Sequence, residues 1–136
     1  MIYEFEMTGE IVGKARPRMN TRTGKAYTPN KTKNYEYFLR QWFVLKYPKF
    51  KTLENRVKVT IIAYFDIPKS TSHKKEAEML SGNISPTKKP DIDNIIKIVL
   101  DAMNKFAFKD DTQVTKIEVE KKYAATSKLY IKIEEY

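Results

Sequence analysis

The segment from Lys88 to Val114 concentrates side chains that bind cations or transfer protons within an otherwise apolar stretch. They are Asp91, Asp93, Asn94, Lys97, Asp101, Asp110 and Asp111. Two carboxylates about 4 Å apart repel each other by roughly 4 kcal/mol at the effective dielectric near a protein surface. In a chain whose formal net charge is +9, such a concentration of acids predicts a bound cation.

The ligand types indicate which cation to expect. The chain has no cysteine and one histidine, His73, so the softer ligands that favour zinc are nearly absent. Carboxylate and amide oxygens suit Mg²⁺ or Mn²⁺. The sequence therefore predicts a magnesium site that manganese can also fill.

A helix predicted from about Asp91 to Asn104 explains the spacing of this segment. At 100° per residue, its polar side chains fall within a stripe about 100° wide. They are Asp93, Asn94, Lys97 and Asp101. Nearly all the remaining residues are apolar, so we expect burial on more than one side, with the polar stripe facing a cleft.

Each polar residue also has an ordinary structural interpretation. Asp91 fits a helix cap, Asp93 and Lys97 fit an ion pair between residues i and i+4, and Asp110 with Asp111 fits a turn. Together these interpretations do not account for the whole set. The joint pattern favours phosphodiester hydrolysis, in which divalent metals supply a hydroxide and stabilise charge, and Lys97 stabilises the transition state or orients water.

Positive charge is concentrated between Lys14 and Lys33, which contains seven lysine or arginine residues and no acid. The candidate phosphate contacts are Lys14, Arg16, Arg18, Arg22 and Lys25, with Lys88 and Lys89 ahead of the acidic segment. Such a local concentration predicts a polyanionic partner. A solvated arm is the alternative, although the glycines and the proline in this segment favour a shaped turn.

The size of the chain predicts one domain spanning residues 1–136, with a core that buries about two-thirds of the unfolded surface. The absence of cysteine fits a reducing compartment. The first ten residues do not resemble a signal peptide, and no apolar run approaches the roughly 20 residues that span a bilayer. We expect a soluble, cytoplasmic protein without a membrane partner.

Hydrophobic periodicity predicts a small α+β domain, in which a mixed or antiparallel sheet of about four strands packs with two main helices. Strands are predicted at 2–7, 57–66, 115–123 and 129–134, the last two as a terminal hairpin. A helix capped by Thr28, with Pro29 at its first position, should run to Tyr47. Its aromatic residues at positions 35, 38, 42 and 43, together with Leu39, are predicted to pack in the core. Residues 13–28 form a basic loop or hairpin.

Residues 68–90 are rich in Ser, Thr, Lys, Gly, Asn and Pro, which predicts a mobile loop with one short helical turn near Lys74 to Leu80. The loop precedes the acidic segment directly. Its lysines, which include Lys74, Lys75, Lys88 and Lys89, are suited to covering a bound backbone, and a plain surface loop is the alternative.

The run KKPDIDNIIKIVLDAMNKFAFKDDTQV, residues 88–114, resembles the RusA family of Holliday junction resolvases. The elements shared with that family are D-x-D-N-x-x-K, a further aspartate on the helix, and D-D-x-Q-V. The run GKARPRMNTRTGKAYTP, residues 13–29, also resembles the basic segment of phage-type members. The order of the predicted elements agrees with the family over most of the chain.

The resemblance implies a homodimer that binds four-way DNA junctions in recombination and repair and makes paired, Mg²⁺-dependent nicks that leave 5′-phosphates. It assigns Asp91, Asp93 and Asp111 as metal ligands and Lys97 as the catalytic lysine, with Asn94, Asp101 and Asp110 in support. The apolar excess of the acidic helix is then a candidate for a position near the dimer interface. A nucleoid-associated enzyme of phage or prophage origin fits these expectations.

Two other functions remain open from the sequence. One is a non-catalytic DNA-binding accessory protein of recombination, whose acids only stabilise a helix and a turn. The other is a less selective nuclease that keeps the same site but also cuts other branched or linear DNA. No sequence motif indicates selectivity for junctions, because a protein recognises the shape of a junction through spaced phosphate contacts.

Overall fold

The computed structural model describes all 136 residues as helices packed on a mixed β-sheet. In chain order the elements are β1 (Ile2–Thr8), β2 (Arg18–Met19), β3 (Ala26–Tyr27), α1 (Asn30–Lys46), β4 (Val57–Asp66), α2 (His73–Ser81), α3 (Ile92–Met103), a short 3₁₀ helix (Asp111–Gln113), β5 (Val114–Ala124) and β6 (Lys128–Glu135). This confirms the predicted α+β class and the four-stranded main sheet. The helices number three rather than two, and none combines the length and apolarity needed to cross a membrane.

The main sheet has the strand order β1-β6-β4-β5, with β4 in its interior. Strand β4 pairs antiparallel with β6 and parallel with β5, so that Ile61 lies opposite both Ile131 and Val119. Strand β1 pairs antiparallel with β6 along its whole length. The strands β2 and β3 form a separate two-stranded ribbon.

The predicted terminal hairpin is wrong, because β4 lies between β5 and β6. Both segments alternate as predicted, but alternation defines a strand and not its neighbour. The long link from Asp66 to Val114, which contains α2 and α3, allows β5 to return parallel to β4, as parallel pairing requires a crossover. Residues 125–127 then carry the chain past the end of β4 to β6.

The core lies between the inner face of the sheet and the helices α1 and α3. Every second residue of β4 from Val57 to Phe65 is buried, and the same alternation buries Leu129, Ile131 and Ile133 in β6. Phe43 of α1 has no exposed surface. The aromatic rings around it are Tyr3 at 5.2 Å, Phe5 at 5.7 Å, Tyr47 at 5.8 Å and Phe50 at 4.9 Å between centroids.

Most of the apolar surface of helix α3 is buried in this core. Its residues Ile95, Ile98, Val99, Ala102 and Met103 are completely buried. The expectation that the apolar excess of this helix serves a dimer interface therefore does not hold for these side chains.

Helix α1 differs from its prediction at its start and on one face. It begins at Asn30 with Pro29 in the N-cap position, and Thr28 makes no cap. Tyr35, Leu39 and Phe43 are buried as predicted, but Phe38 and Trp42 are exposed to solvent by 53% and 41%. The prediction of core packing was therefore wrong for these two residues. The apolar arc of α1 is wider than the surface that the sheet and α3 cover.

The segment predicted as a mobile loop contains a regular helix. Ser72 caps α2 by accepting a hydrogen bond from the Lys75 amide, and Gly82 ends the helix in the left-handed conformation with φ of 88°. This is the usual Ser-to-Gly pattern of helix capping. The loop of residues 68–90 therefore holds nine helical residues rather than a single turn.

Candidate functional site

The first turns of α3 present three of the predicted site residues to solvent. Asp91 occupies the N-cap position without a side-chain cap hydrogen bond, and Asp93 lies in the first turn. Lys97 follows one turn later and is exposed. None of the three forms an ion pair, so the alternative interpretation of Asp93 and Lys97 as an i,i+4 pair does not hold. The positive end of the helix dipole lies at this turn and favours anionic groups there.

Asp101, one turn beyond Lys97 on α3, is held by an ion pair. Its Oδ2 lies 3.0 Å from the Nζ of Lys14, and the same ammonium lies 3.0 Å from Oε1 of Glu36 on α1. Burial lowers the pKa of Lys14, but the hydrogen bonds and charges of Glu36 and Asp101 outweigh it and raise the pKa above its ordinary value. Lys14 is therefore committed within the fold, which argues against its predicted role as a phosphate contact.

The pair Asp110 and Asp111 divides into a structural residue and a free one. Asp110 caps the 3₁₀ helix, accepting hydrogen bonds from the amide and hydroxyl of Thr112. These hydrogen bonds hold the pKa of Asp110 below its ordinary range. Asp111 enters no ion pair and is exposed.

Gln113 completes the capping of the 3₁₀ helix that Asp110 begins. Its Oε1 accepts a hydrogen bond from the Asp110 amide at 2.9 Å, which closes a capping box. Its Nε2 donates to the carbonyl oxygens of Leu53 at 3.0 Å and Asn55 at 2.8 Å. The D-D-x-Q spacing thus anchors the turn through its first and fourth residues and leaves the second, Asp111, free.

The base of the basic segment is fixed beside the start of α3. The Lys14 amide donates to the Asn94 carbonyl at 2.9 Å, and the Ala15 amide donates to Oγ1 of Thr32 at 3.4 Å. Gly13 touches α3 so closely that a Cβ on it would lie 2.6 Å from Cβ of Pro90. This contact requires a glycine and brings the basic segment next to Asp91.

Beyond this base the segment forms the predicted hairpin, which we call the basic arm (residues 16–27). Its strands β2 and β3 pair through Arg18 opposite Tyr27, and Gly24 adopts the left-handed region with φ of 69°. Every residue of the basic arm is exposed. The cations Arg16, Arg18, Arg22 and Lys25 are free of ion pairs, which suits the phosphate contacts predicted for them.

Lys88 and Lys89 come just before the N-terminus of α3 in the chain. They line a polar cavity of about 350 Å³ together with Glu10, Asp66 and other residues. The ammonium of Lys88 lies 5.7 Å from the centroid of the Phe65 ring. Both lysines are exposed, so they are available to a polyanion that passes this end of α3.

The free carboxylates have the oxygen ligands that a hard cation prefers, but they are not grouped around one point in the structure. No set of three or more Asp, Glu or His side chains is arranged to hold a metal ion. Asp111 lines a shallow cavity together with Leu100 of α3. Asp91 and Asp93 thus offer two free oxygen donors at the start of α3, and Asp111 offers a third from the short 3₁₀ helix. Magnesium binding stays a prediction.

Sequence reasoning missed the ion pair of Glu36 and the hydrogen bonds through which Gln113 anchors the turn. Glu36 is only 8% exposed although it is charged, and it lies on the buried face of α1 with Thr32 and Leu39. A lone acid at a buried helical position indicates a partner of opposite charge, which was the signal available for it. For Gln113 the signal was the spacing from Asp110, which matches a capping box.

The fold and these exposed groups define a small, basic α+β protein suited to a polyanionic substrate. The family model described as Endodeoxyribonuclease RusA matches residues 8–134. The chain therefore belongs to the RusA endodeoxyribonuclease family, whose members are Holliday junction resolving endonucleases. It is also 34% identical to the uncharacterized protein YqaN of Bacillus subtilis (strain 168) over 137 residues, covering 97% of this chain and 95% of that protein.

Proposed function

We propose that this protein is a divalent-metal-dependent endonuclease that resolves four-way DNA junctions in recombination and repair, and that it works as a homodimer. The observation that carries the proposal is a division among the polar residues of its family motif. Those without an ion pair are Asp91, Asp93, Lys97 and Asp111; those engaged in the fold are Asp101 and Asp110. Four chemically competent groups of the motif that the fold leaves free favour a catalytic function over an accessory one.

The free acids are the residues that would hold the ion, which we propose to be Mg²⁺, with Mn²⁺ as a substitute. Asp91 and Asp93 would supply two carboxylates from the start of α3. We propose that Asp111 joins them as the third ligand when the ion binds, because the three acids are not grouped around one point in the structure. When bound, the ion supplies charge stabilisation at the reacting phosphate and lowers the pKa of water. Lys97 places its ammonium beside the same phosphate, where it stabilises the charge that develops in the transition state.

The proposed reaction is the hydrolysis of a P–O3′ bond. A water oxygen attacks phosphorus while the 3′ oxygen leaves, so that the products are a 5′-phosphate and a 3′-hydroxyl. The basic arm holds neighbouring phosphates, which sets the register of the DNA without reading its bases. In a homodimer two such sites related by a two-fold axis make paired nicks in strands of like polarity.

The first experiment incubates the purified protein with an end-labelled four-way junction and a matched linear duplex, with Mg²⁺ or with a chelator. We expect paired symmetric nicks in the junction alone, only with the metal. Equal cutting of both DNAs would indicate a less selective nuclease with the same site. Binding without cutting, across several junction sequences, would support a non-catalytic accessory protein.

The neighbouring acids provide a matched pair of variants for this assay. Asp111→Asn should abolish cleavage, because it removes a free carboxylate from the site. Asp110→Asn should keep most of the activity, because asparagine keeps an oxygen acceptor for Thr112 and still caps the turn. Asp91→Asn should behave as Asp111→Asn does. Equal loss in the Asp110 and Asp111 variants would contradict the division of functions proposed for them.

A further inference from the structure

The segment that leads into α3 is held in the fold by a single polar contact. Residues 85–90 make one hydrogen bond with the rest of the chain, in which the Lys88 carbonyl accepts from the Nζ of Lys121. Pro86 and Pro90 have no amide hydrogen to donate. Pro86 is buried, and Pro90 packs against the base of the basic segment. Between the two prolines, the hydrogen bond from Lys121 is therefore the only polar anchor of the backbone.

We propose that Lys121 is a positioning residue for the nuclease reaction, because its ammonium fixes the segment before α3 and thereby fixes where Asp91 lies. The inference rests on the proposed function, in which Asp91 is a metal ligand, and adds a residue to it. Lys121 belongs to β5 and lies outside the run of residues 88–114 that supplies the proposed ligands.

Lys121 occupies a position on β5 where the strand pattern favours an apolar side chain. It lies opposite Ala63 of β4, which is completely buried, and it shares the half-buried face of β5 with Val119. Its neighbour Lys122 is exposed on the other face of the strand. A charged group on the inner face of a sheet requires a polar partner. The partner here is the Lys88 carbonyl.

Attraction between opposite charges does not explain this placement. Lys121 forms no ion pair. Its ammonium lies 5.3 Å from the centroid of the Phe65 ring, and the ammonium of Lys88 lies 5.7 Å from the same centroid. The ring attracts both cations, but the cations also repel each other. A lysine placed beside another lysine is a local conflict of the kind that folds accept mainly at functional sites.

The hydrogen bond from Lys121 acts on Asp91 through the backbone. Lys88 precedes Asp91 by three residues, and Pro90, directly before Asp91, packs against Gly13. The segment is thus fixed both from β5 and from the base of the basic segment. Asp91 makes no side-chain cap hydrogen bond, so the backbone alone determines where its carboxylate lies. A displacement of about 1 Å at a reacting group can lower a rate by about 100-fold.

A direct contact with DNA is a different role from the one proposed. Arg16 and Arg18, which are candidates for such contacts, are exposed and free of ion pairs. Lys121 is half-buried and already donates a hydrogen bond within the fold. A phosphate contact contributes to the salt dependence of DNA binding, whereas a positioning residue does not.

Electron paramagnetic resonance of a spin label tests the role of Lys121 without DNA or metal. The chain has no cysteine, so Thr87→Cys introduces one exposed thiol next to Lys88. We expect the label to become more mobile when Lys121→Met is added. Methionine has a side chain of similar length but cannot donate to the Lys88 carbonyl. Lys122→Met removes the same charge from the adjacent exposed position and should leave the spectrum unchanged.

Single-turnover cleavage and a junction titration test the effect on the reaction. We expect Lys121→Met to lower the cleavage rate about 10- to 100-fold. Junction affinity should stay within about twofold of the wild type, with an unaltered salt slope. Lys121→Arg should recover most of the rate, because a guanidinium is also a donor. Lys122→Met should cut at the wild-type rate, since its ion pair with Glu120 is exposed. Circular dichroism checks that all variants are folded.

Three results would overturn the proposal. They are a spectrum unaffected by Lys121→Met, a more mobile label with cleavage at the wild-type rate, and a parallel loss of cleavage and affinity with a salt slope lowered by about 1. The last would make Lys121 a phosphate contact. A wild-type chain that cuts no junction would overturn the proposed function and the positioning role together. That result is distinguishable, because the label reports the hydrogen bond from Lys121 even in an inactive protein.

Discussion

Lys14 and Asp101 form an ion pair, with Nζ and Oδ2 3.0 Å apart, that joins the base of the basic arm to α3. The same ammonium lies 3.0 Å from Glu36, so one lysine also holds α1. Three segments distant in sequence therefore meet at a single cation. The arrangement makes Lys14 a positioning residue that sets where the basic arm leaves the fold, close to Asp91.

We predict that Lys14→Ala destabilises the protein by about 1–3 kcal/mol, because it leaves the nearly buried Glu36 without a partner. Urea denaturation measures this change. The double variant with Glu36→Ala should lose less than the sum of the two single changes, because the residues interact directly. Additive losses would show that the ion pair contributes nothing.

The exposed arginines of the basic arm should contribute to DNA binding and not to stability, in contrast to Lys14. Arg16→Ala combined with Arg18→Ala should weaken junction binding and lower the slope of log K against log salt by about 1 to 2, with unfolding unchanged. Titrations of labelled junction at several salt concentrations measure this slope. Lys14→Ala should leave the slope unaltered, and a slope lowered by that variant would restore Lys14 as a phosphate contact.

We predict that Gly13→Ala moves the basic arm away from the start of α3. The added Cβ would lie 2.6 Å from Cβ of Pro90 and 3.1 Å from Cβ of Asn94, so the backbone must shift. Overpacking of this kind costs about 1–3 kcal/mol. Cleavage should fall more than junction binding, because the arginines remain present but are misplaced relative to Asp91. Unchanged stability and cleavage would show that the contact is not needed.

The parts of the fold that were predicted correctly are those that a single periodic segment determines. The strand Val57–Asp66 has the bounds expected from its alternation, and α3 differs from its predicted range by one residue at each end. Strand pairing was not accessible in this way, since alternation is the same whichever strand lies alongside. The wrong hairpin of β5 and β6 has this cause.

The candidate site could likewise be predicted only in part. Residue types and spacing identified the acids and Lys97, but the sequence could not tell Asp110 from Asp111, because both are aspartates in one turn. The hydrogen bond that Asp110 accepts from Thr112 and the one that its amide donates to Gln113 distinguish the two aspartates. Likewise, the predicted contact at Lys14 could not be separated from the free arginines until Glu36 was placed 3.0 Å away.

We predict that Lys97→Ala abolishes junction cleavage and leaves junction affinity within about twofold of the wild type. Lys97 has no ion pair to lose, so the variant should unfold at the same urea concentration. A transition-state interaction affects the rate rather than binding. Single-turnover cleavage beside a binding titration separates the two. A large loss of affinity would make Lys97 a binding residue.

The capping carboxylate of Asp110 should make stability depend on pH in the acid range. Hydrogen bonds from Thr112 lower its pKa in the folded protein below the ordinary value of 3.8. A group with a lowered folded-state pKa contributes stability that is fully present above the unfolded-state value and is lost as pH falls through the folded-state pKa. The contribution should therefore be constant at neutral pH and disappear only in acid.

Thermal unfolding of the wild type and of Asp110→Asn, from about pH 6 to about pH 2, measures this contribution. The asparagine keeps an oxygen acceptor for Thr112 but carries no charge, so the wild type should have the higher Tm near neutral pH. The difference should narrow as Asp110 protonates, because both proteins then present an uncharged cap. All other acids titrate in both proteins and cancel. A difference that stayed constant with pH would show that the charge of Asp110 does not stabilise the turn that presents Asp111.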